Sequence, residues 1–314
     1  MSSPSKGSLP PISLSSFPVK GLLPSIGVVL AALLTILIGN AVLGIDPGTL
    51  SIFTLFVTWA AFMISTAGGW PLEKFSIPVR GFTFIVISLI YGVFHIWAQP
   101  NIFGFSGDYY WPVIANLFLA IGITIAFDNK LVSGLKQPYA LIFNILFWYI
   151  FTFVLLYLVP VFNGMVPSIW FAWFVFFFFW LGRYPLSELP QPTKGILSLV
   201  IMGSLGILLN FIFIWFFNTN FFQPDAGFWF AAWVFWLVIT SWIFDTWPFQ
   251  NLKQPRRGLI GLPLTVALAT ITYVIVVYGT NISLPDAGSY GWIFISWAYI
   301  WPIFLQKWPA KSNS

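Results

Sequence analysis

Long apolar runs alternate with short polar breaks along the whole chain, and this alternation restricts the fold more than any other feature. Runs of about 16 to 24 residues are long enough for a helix to cross a bilayer. Because the runs are continuous, they lack the alternating pattern of membrane barrel strands. We count ten, near positions 21–44, 49–69, 81–98, 110–127, 138–159, 167–182, 195–216, 228–244, 258–279 and 290–306. The sequence therefore predicts an all-α integral membrane protein with ten transmembrane helices.

The types of side chain present exclude many kinds of chemistry. Only 7% of the residues are charged, whereas soluble domains carry about 25%. The chain has no cysteine and one histidine, His95, which excludes disulfides, thiol chemistry and multi-histidine metal sites. No carboxylate, lysine or arginine falls in the middle of a predicted span, and this disfavours proton-coupled transport. The pattern favours a protein that is not an enzyme.

The basic residues predict the orientation of the chain. All 13 lysines and arginines fall in the two tails or in the breaks that follow even-numbered runs. Since cytoplasmic loops collect Lys and Arg, both termini are predicted to be cytoplasmic, in a membrane of prokaryotic type. The net charge of +5 then reports topology and contact with anionic lipid. Nucleic acid is excluded as a partner.

A tandem repeat is the most specific pattern in the sequence. A Pro-x-Lys/Arg-Gly step begins at Pro18, Pro78, Pro192 and Pro255, and Pro138 stands in the missing place, so that the intervals are 60, 60, 54 and 63 residues. We predict five two-helix hairpin repeats of about 60 residues with the same topology in each. After a Ser/Pro-rich cytoplasmic tail at 1–17, the units are 18–77, 78–137, 138–191, 192–254 and 255–314, the last including the C-terminal tail.

Tryptophans recur eleven residues before the aromatic-Pro pairs of four units. They are Trp59, Trp173, Trp236 and Trp297. At helical rise they lie about 16 Å from the cytoplasmic break, near the middle of the bilayer. One interpretation is a packing role, with the indole N–H bonded to a neighbouring carbonyl or hydroxyl. The other is an aromatic wall for a quinone, a carotenoid or a lipid chain.

The cations of the repeated step form a second candidate site. The residues are Lys20, Arg80, Lys194, Arg256 and Arg257. They are predicted either to bind anionic lipid or a partner, or to act only as anchors at the membrane interface.

The second unit, 78–137, diverges from the others and contains the third candidate site. It has Leu119 where the recurring tryptophan would stand, and it carries His95. At helical rise from Arg80, His95 lies in the outer leaflet with Trp97, Asp108, Tyr109 and Tyr110 nearby. A histidine beside a carboxylate and tyrosines is suited to bind a quinone head group; the alternative is a histidine with only structural contacts.

These features lead to two main functional hypotheses. The first is a non-catalytic scaffold or anchor subunit of a larger membrane complex, in contact with lipid, with other membrane subunits and with a quinone-like or other hydrophobic ligand. The second is a transporter or channel for a small uncharged or hydrophobic solute, with Asn116, Asn144 or Asn210 lining its path. A weaker third is a lipid-modifying enzyme that uses the acidic residues of the outer side.

Overall fold

A computed structural model describes residues 19–102, 110–129, 132, 134–157, 167–219 and 226–305. Helices account for most of these residues, and no strand occurs among them. Ten α-helices follow one another within the described residues: α1 Val19–Ile36, α2 Pro47–Thr66, α3 Ile77–Ile102, α4 Tyr110–Ala126, α5 Tyr139–Tyr157, α6 Pro167–Val175, α7 Thr193–Thr219, α8 Ala226–Val238, α9 Arg256–Gly279 and α10 Leu284–Phe304. The all-helical prediction is confirmed, and each apolar run corresponds to one helix.

Three of the helices continue as π-helical turns. The turns are Leu37–Val42 after α1, Phe176–Trp180 after α6 and Ile239–Ile243 after α8. A short 3-10 helix, Leu186–Glu188, lies between α6 and α7.

Four segments of the described residues are long and apolar enough to cross a membrane. They are Gly21–Val42, Pro47–Thr66, Ile77–Ala98 and Arg256–Gly279. Shorter apolar helices include Tyr139–Phe151, Phe171–Trp180, Thr193–Leu209 and Gly227–Ile243. This content is consistent with a membrane protein.

The even-numbered helices form a closed inner ring. In the order α2, α4, α6, α8 and α10, each packs against the next, and α10 packs against α2. The burial of the long spans separates an inner from an outer layer, because 72% of Pro47–Thr66 is buried but only 22% of Gly21–Val42 and of Arg256–Gly279. Each odd-numbered helix belongs to the outer layer.

Each outer helix packs against two adjacent segments of the inner ring. Helix α3 packs on α2 and α10, α5 on α4 and α2, and α7 on α6 and α4. In the same way α9 packs on α8 and the turn after α6, and α1 packs on α10 and the turn after α8. The two helices of a predicted hairpin therefore pack mainly on other units. The boundaries of the units stay predictions.

Polar side chains fix helix starts on the side of the molecule where α1 leads into α2. The Asp46 carboxylate accepts a hydrogen bond from the Thr49 backbone N–H at 2.9 Å, and Pro47 occupies the first turn of α2. Ser283 accepts from the Asp286 N–H at 3.2 Å at the start of α10. The hydrogen bonds from Thr49 lower the pKa of Asp46. Asp46 and Ser283 thus cap the starts of α2 and α10.

At the opposite side, four inner helices end with two consecutive residues in the left-handed conformation. The pairs are Gly68-Gly69, Asp128-Asn129, Gly182-Arg183 and Asp245-Thr246. Such φ values are uncommon for residues other than glycine, and Asn and Asp tolerate them best. The recurrence gives the ends of α2, α4, α6 and α8 the same backbone shape.

Candidate functional site

His95 lies inside the protein between three helices. Its side chain is 6% exposed on α3, and its ring stacks on Phe56 of α2 with the centroids 4.6 Å apart. The His95 Nε2 atom is hydrogen-bonded to the hydroxyl of Tyr149 on α5. His95 therefore connects α3 to both α2 and α5.

Two further aromatic residues complete this group. The Tyr91 and Tyr149 hydroxyls are 2.5 Å apart, which extends the hydrogen-bonded chain from His95 to a second phenol. Trp59 stacks on Tyr91 at 5.8 Å and meets Tyr149 edge-on at 5.0 Å. We call Phe56, Trp59, Tyr91, His95 and Tyr149 the His95 cluster. Its hydroxyls and imidazole could bind a polar head group or hold a proton between them.

Of the four residues predicted to lie near His95, only the side chain of Trp97 is described. Trp97 is 58% exposed, and thus faces away from the buried cluster. Asp108 and Tyr109 lie outside the described residues, and Tyr110 begins α4 without a described side chain. Tyr91 could have been found from the sequence, since it lies one helical turn before His95. Phe56 and Tyr149 come from other helices and left no local signal.

Three of the recurring tryptophans differ in their contacts, since two bond to outer helices and one packs on an inner helix. Trp236 Nε1 donates to Thr272 Oγ1 and Trp297 Nε1 to Thr35 Oγ1, both at 2.9 Å. Trp173 packs edge-on against Trp233 with the ring centroids 5.2 Å apart.

Trp59 has a different environment because its threonine is replaced. Thr35 and Thr272 each follow the first proline of their unit by the same interval, and in the second unit that position is His95. The Trp59 indole is 4% exposed, and its N–H has no hydrogen-bond partner among the described residues. The His95 cluster thus contains a buried donor without an acceptor, which is costly unless a bound group supplies one.

The predicted cations have contacts at the ends of the helices. Lys194 Nζ lies 3.1 Å from an Asp128 carboxylate oxygen, and Arg183 Nη1 lies 2.6 Å from the other. Arg80 Nη1 donates to the Glu73 carbonyl at 3.5 Å. Arg256 is exposed, and the side chain of Lys20 is outside the described part.

Asp128 is held as a carboxylate by its neighbours. Its partial burial alone would raise the pKa, but hydrogen bonds from Gln191, Arg183 and Lys194 and the charge of Arg183 outweigh that effect and lower the pKa to about 2. The side chain stays 37% exposed. This ion pair therefore joins α4 to the start of α7 at moderate strength.

The same hydrogen-bond geometry joins three outer helices to the ends of inner helices. We call each place where the start of an outer helix meets the end of an inner helix a junction. The amide Nε2 of a glutamine just before the outer helix donates to a carbonyl near the end of the inner helix: Gln137 to Ala67, Gln191 to Ala126 and Gln254 to Trp180. At the other two junctions the start of the outer helix approaches the inner helix at glycine, with Gly21 against Phe244 and Gly81 against Leu305.

Of the three asparagines predicted to line a path, Asn144 is described, and it is bonded within the protein. It donates to Thr66 Oγ1 and accepts from Trp148 Nε1 at 2.9 Å. The side chains of Asn116 and Asn210 lie outside the described part. The described residues contain no group of three or more His, Cys, Asp or Glu side chains placed to hold a metal ion.

Comparison of the chain with protein-family models, with curated protein sequences and with solved structures gave no match.

Proposed function

We propose that the chain is a non-catalytic membrane scaffold that anchors other subunits of a membrane complex. In this proposal all ten helices cross the membrane, as five tandem units arranged in a closed ring with both termini in the cytoplasm. The five junctions support a single cyclic arrangement, because each joins the residues at the start of an outer helix to the end of the inner helix that belongs to the unit two places earlier around the ring.

Aromatic side chains in the centre of the ring carry this proposal. Phe171 of α6 and Tyr299 of α10 contact each other at 5.8 Å although their helices are not adjacent in the ring. Trp242 packs edge-on against Tyr299 at 5.8 Å. Tyr299 is 3% exposed. Aromatic contacts between inner helices that are not adjacent suit a rigid support better than a solute path.

The outer helices support contact with lipid and with other membrane subunits. Each carries large apolar side chains that are half or more exposed, for example Leu30, Ile90, Leu146, Leu208 and Ile275. Such surfaces are not stable in water and are suited to acyl chains or to the apolar face of another helix.

Solute flux separates the scaffold from the transporter. Purified full-length chain in vesicles should give the same glycerol permeability as empty vesicles, measured by stopped-flow light scattering. The variant Tyr299→Ala, which removes bulk from the centre, is the matched comparison. Glycerol flux through the unmodified chain would refute the scaffold and favour the transporter.

The association with partners needs its own measurement. Cross-linking in native membranes should move the 35.5 kDa chain into a discrete larger species. Recovery of the chain only as a monomer would contradict the subunit part of the proposal.

A hydrophobic ligand with a polar head group is the second part of the proposal, and the unpaired Trp59 N–H favours it. A quinone carbonyl could accept this hydrogen bond while its ring stacks beside Phe56 and Tyr91. Titration with a short-chain ubiquinone analogue tests this. Trp59→Phe should weaken binding by about tenfold, the effect of one lost hydrogen bond, while Trp97→Phe on the exposed face should not. The opposite result would favour the site predicted around Trp97.

A further inference from the structure

Two of the junctions, which we call the first and the second, each contain a glutamine in the same position, Gln191 and Gln254, but differ in one charged side chain. At the first, Gln191 Nε2 donates both to the Ala126 carbonyl at 2.8 Å and to the Asp128 carboxylate at 2.8 Å. The Gln191 Oε1 atom accepts from the Gly195 N–H at 3.2 Å. Lys194 adds its charge to the same carboxylate. An amide and a cation thus enclose an anion there.

At the second junction, the amide and the cation are present and the carboxylate is not. Gln254 Nε2 donates to the Trp180 carbonyl, and Gln254 Oε1 accepts from the Gly258 N–H at 3.4 Å. Arg257 stands two residues after its proline, as Lys194 does, and Gly182 stands where the first junction has Asp128. Gly182 has φ 57° and Asp128 has φ 54°, so the two backbones coincide in shape.

The donors at the second junction lie close to the position at which a carboxylate-bearing side chain would begin. A Cβ placed on Gly182 would lie 3.6 Å from Arg257 Nη2 and 3.7 Å from Gln254 Nε2, which is ordinary contact distance. The Arg257 Nε atom is buried and has no hydrogen-bond partner among the described residues. A buried guanidinium nitrogen without an acceptor is costly, and an external anion would remove that cost.

We propose that this junction binds a phosphate group, with Arg257 and the Gln254 amide as its donors. The phosphate takes the place that the Asp128 carboxylate has at the first junction. A guanidinium matches the geometry of phosphate oxygens. Lys253 and Arg256 are exposed beside it and add positive charge. The phosphate can belong to a lipid headgroup or to a soluble phosphate compound.

The substitution Gly182→Asp tests this directly, because it supplies the carboxylate from within the chain. Aspartate adopts the required φ at residues 128 and 245 already. Gly182→Asn is the matched control, since asparagine has nearly the same shape and tolerates the same φ but carries no charge. Arg257→Gln removes the cation. Thermal unfolding in detergent checks that each variant is folded.

Binding is measured on the full chain with two probes. Native mass spectrometry follows phosphatidylglycerol in mixed micelles, and a thermal-shift titration follows inorganic phosphate. We expect Gly182→Asp and Arg257→Gln to weaken binding about tenfold, the effect of losing one charge-assisted contact, and Gly182→Asn to stay within about twofold. Binding of only one probe identifies the source of the phosphate.

Two results would overturn the proposal. One is that neither probe binds more tightly to the unmodified chain than to Arg257→Gln. The other is that Gly182→Asp and Gly182→Asn weaken binding equally, because the loss would then come from the side chain's bulk and not from its charge. The thermal unfolding of the aspartate variant is an independent check, as its new ion pair should make it more stable than the asparagine variant.

Discussion

The hydrogen bond between Trp233 and Thr265 allows the strongest test of how the inner and outer layers are held together. The Trp233 indole N–H donates to Thr265 Oγ1 at 3.0 Å, and both side chains are fully buried. Thr265 in turn donates to the Gly261 carbonyl at 2.9 Å. Substitution of Thr265 by valine keeps the volume nearly constant and removes the acceptor that this N–H has among the described residues.

The expected loss follows from the burial of the indole. Leaving a buried donor unpaired costs about 1–3 kcal/mol in proteins generally, while hydrogen bonds between membrane helices average about 0.6 kcal/mol and reach about 1.7 kcal/mol. Since both side chains are fully buried, we expect Thr265→Val to lower the free energy of unfolding by about 1–2 kcal/mol, near the upper membrane value.

Thr83→Val is the matched control for this substitution. Thr83 is exposed on α3, and its hydroxyl donates only to the Val79 carbonyl one turn earlier, at 2.8 Å. Its loss should change stability by no more than about 0.5 kcal/mol. Reversible unfolding in mixed micelles, followed by near-ultraviolet circular dichroism, measures both variants. Equal effects at the two positions would refute the idea that the indole bonds join the layers.

Two other predictions concern the ends of the helices. Because hydrogen bonds lower the pKa of Asp128 from 3.8 to about 2, its ion pairs stabilise the fold above about pH 4 and lose this effect as the pH falls toward 2. The difference in thermal stability between the unmodified chain and Asp128→Asn should therefore be at most about 1 kcal/mol and vanish over that range; a difference that persists at pH 2 would contradict it. A Cβ on Gly261 would overlap the ring of Trp180, so Gly261→Ala should cost about 1–3 kcal/mol, while Gly279→Ala, with open space around it, should cost far less in the same unfolding experiment.

The number and type of the helices could be predicted from the sequence because both depend on local properties. An apolar run must satisfy its backbone hydrogen bonds within itself, and a helix is the way to do so in lipid. The order of packing could not be predicted in this way. A helix that is apolar on all sides gives no periodic signal of which face meets which neighbour, so nothing local indicated that α1 would lie against α10.

In the candidate site, likewise, one residue could be identified from the sequence and its partners on other helices could not. The position of His95 singled it out, but Tyr149, which is hydrogen-bonded to it, lies 54 residues away on another helix. The predicted repeat is informative for a different reason, since it predicts which positions should correspond. Comparing corresponding positions then identified both the replacement of threonine by His95 and the replacement of Asp128 by Gly182.

Because α1 packs mainly on α10, it can make its final contacts only after α10 has been synthesised. Thr35 of α1 accepts its hydrogen bond from Trp297, 262 residues later in the chain. At a translation rate of about 5–20 residues per second, this partner is made roughly 13 to 52 seconds after Thr35. In that interval α1 lacks α10, and the Thr35 hydroxyl has the Ala31 carbonyl of its own helix as its hydrogen-bond partner. The packing of α1 is thus completed only once α10 has been made, and any chain that stops before α10 leaves α1 without its main protein contact.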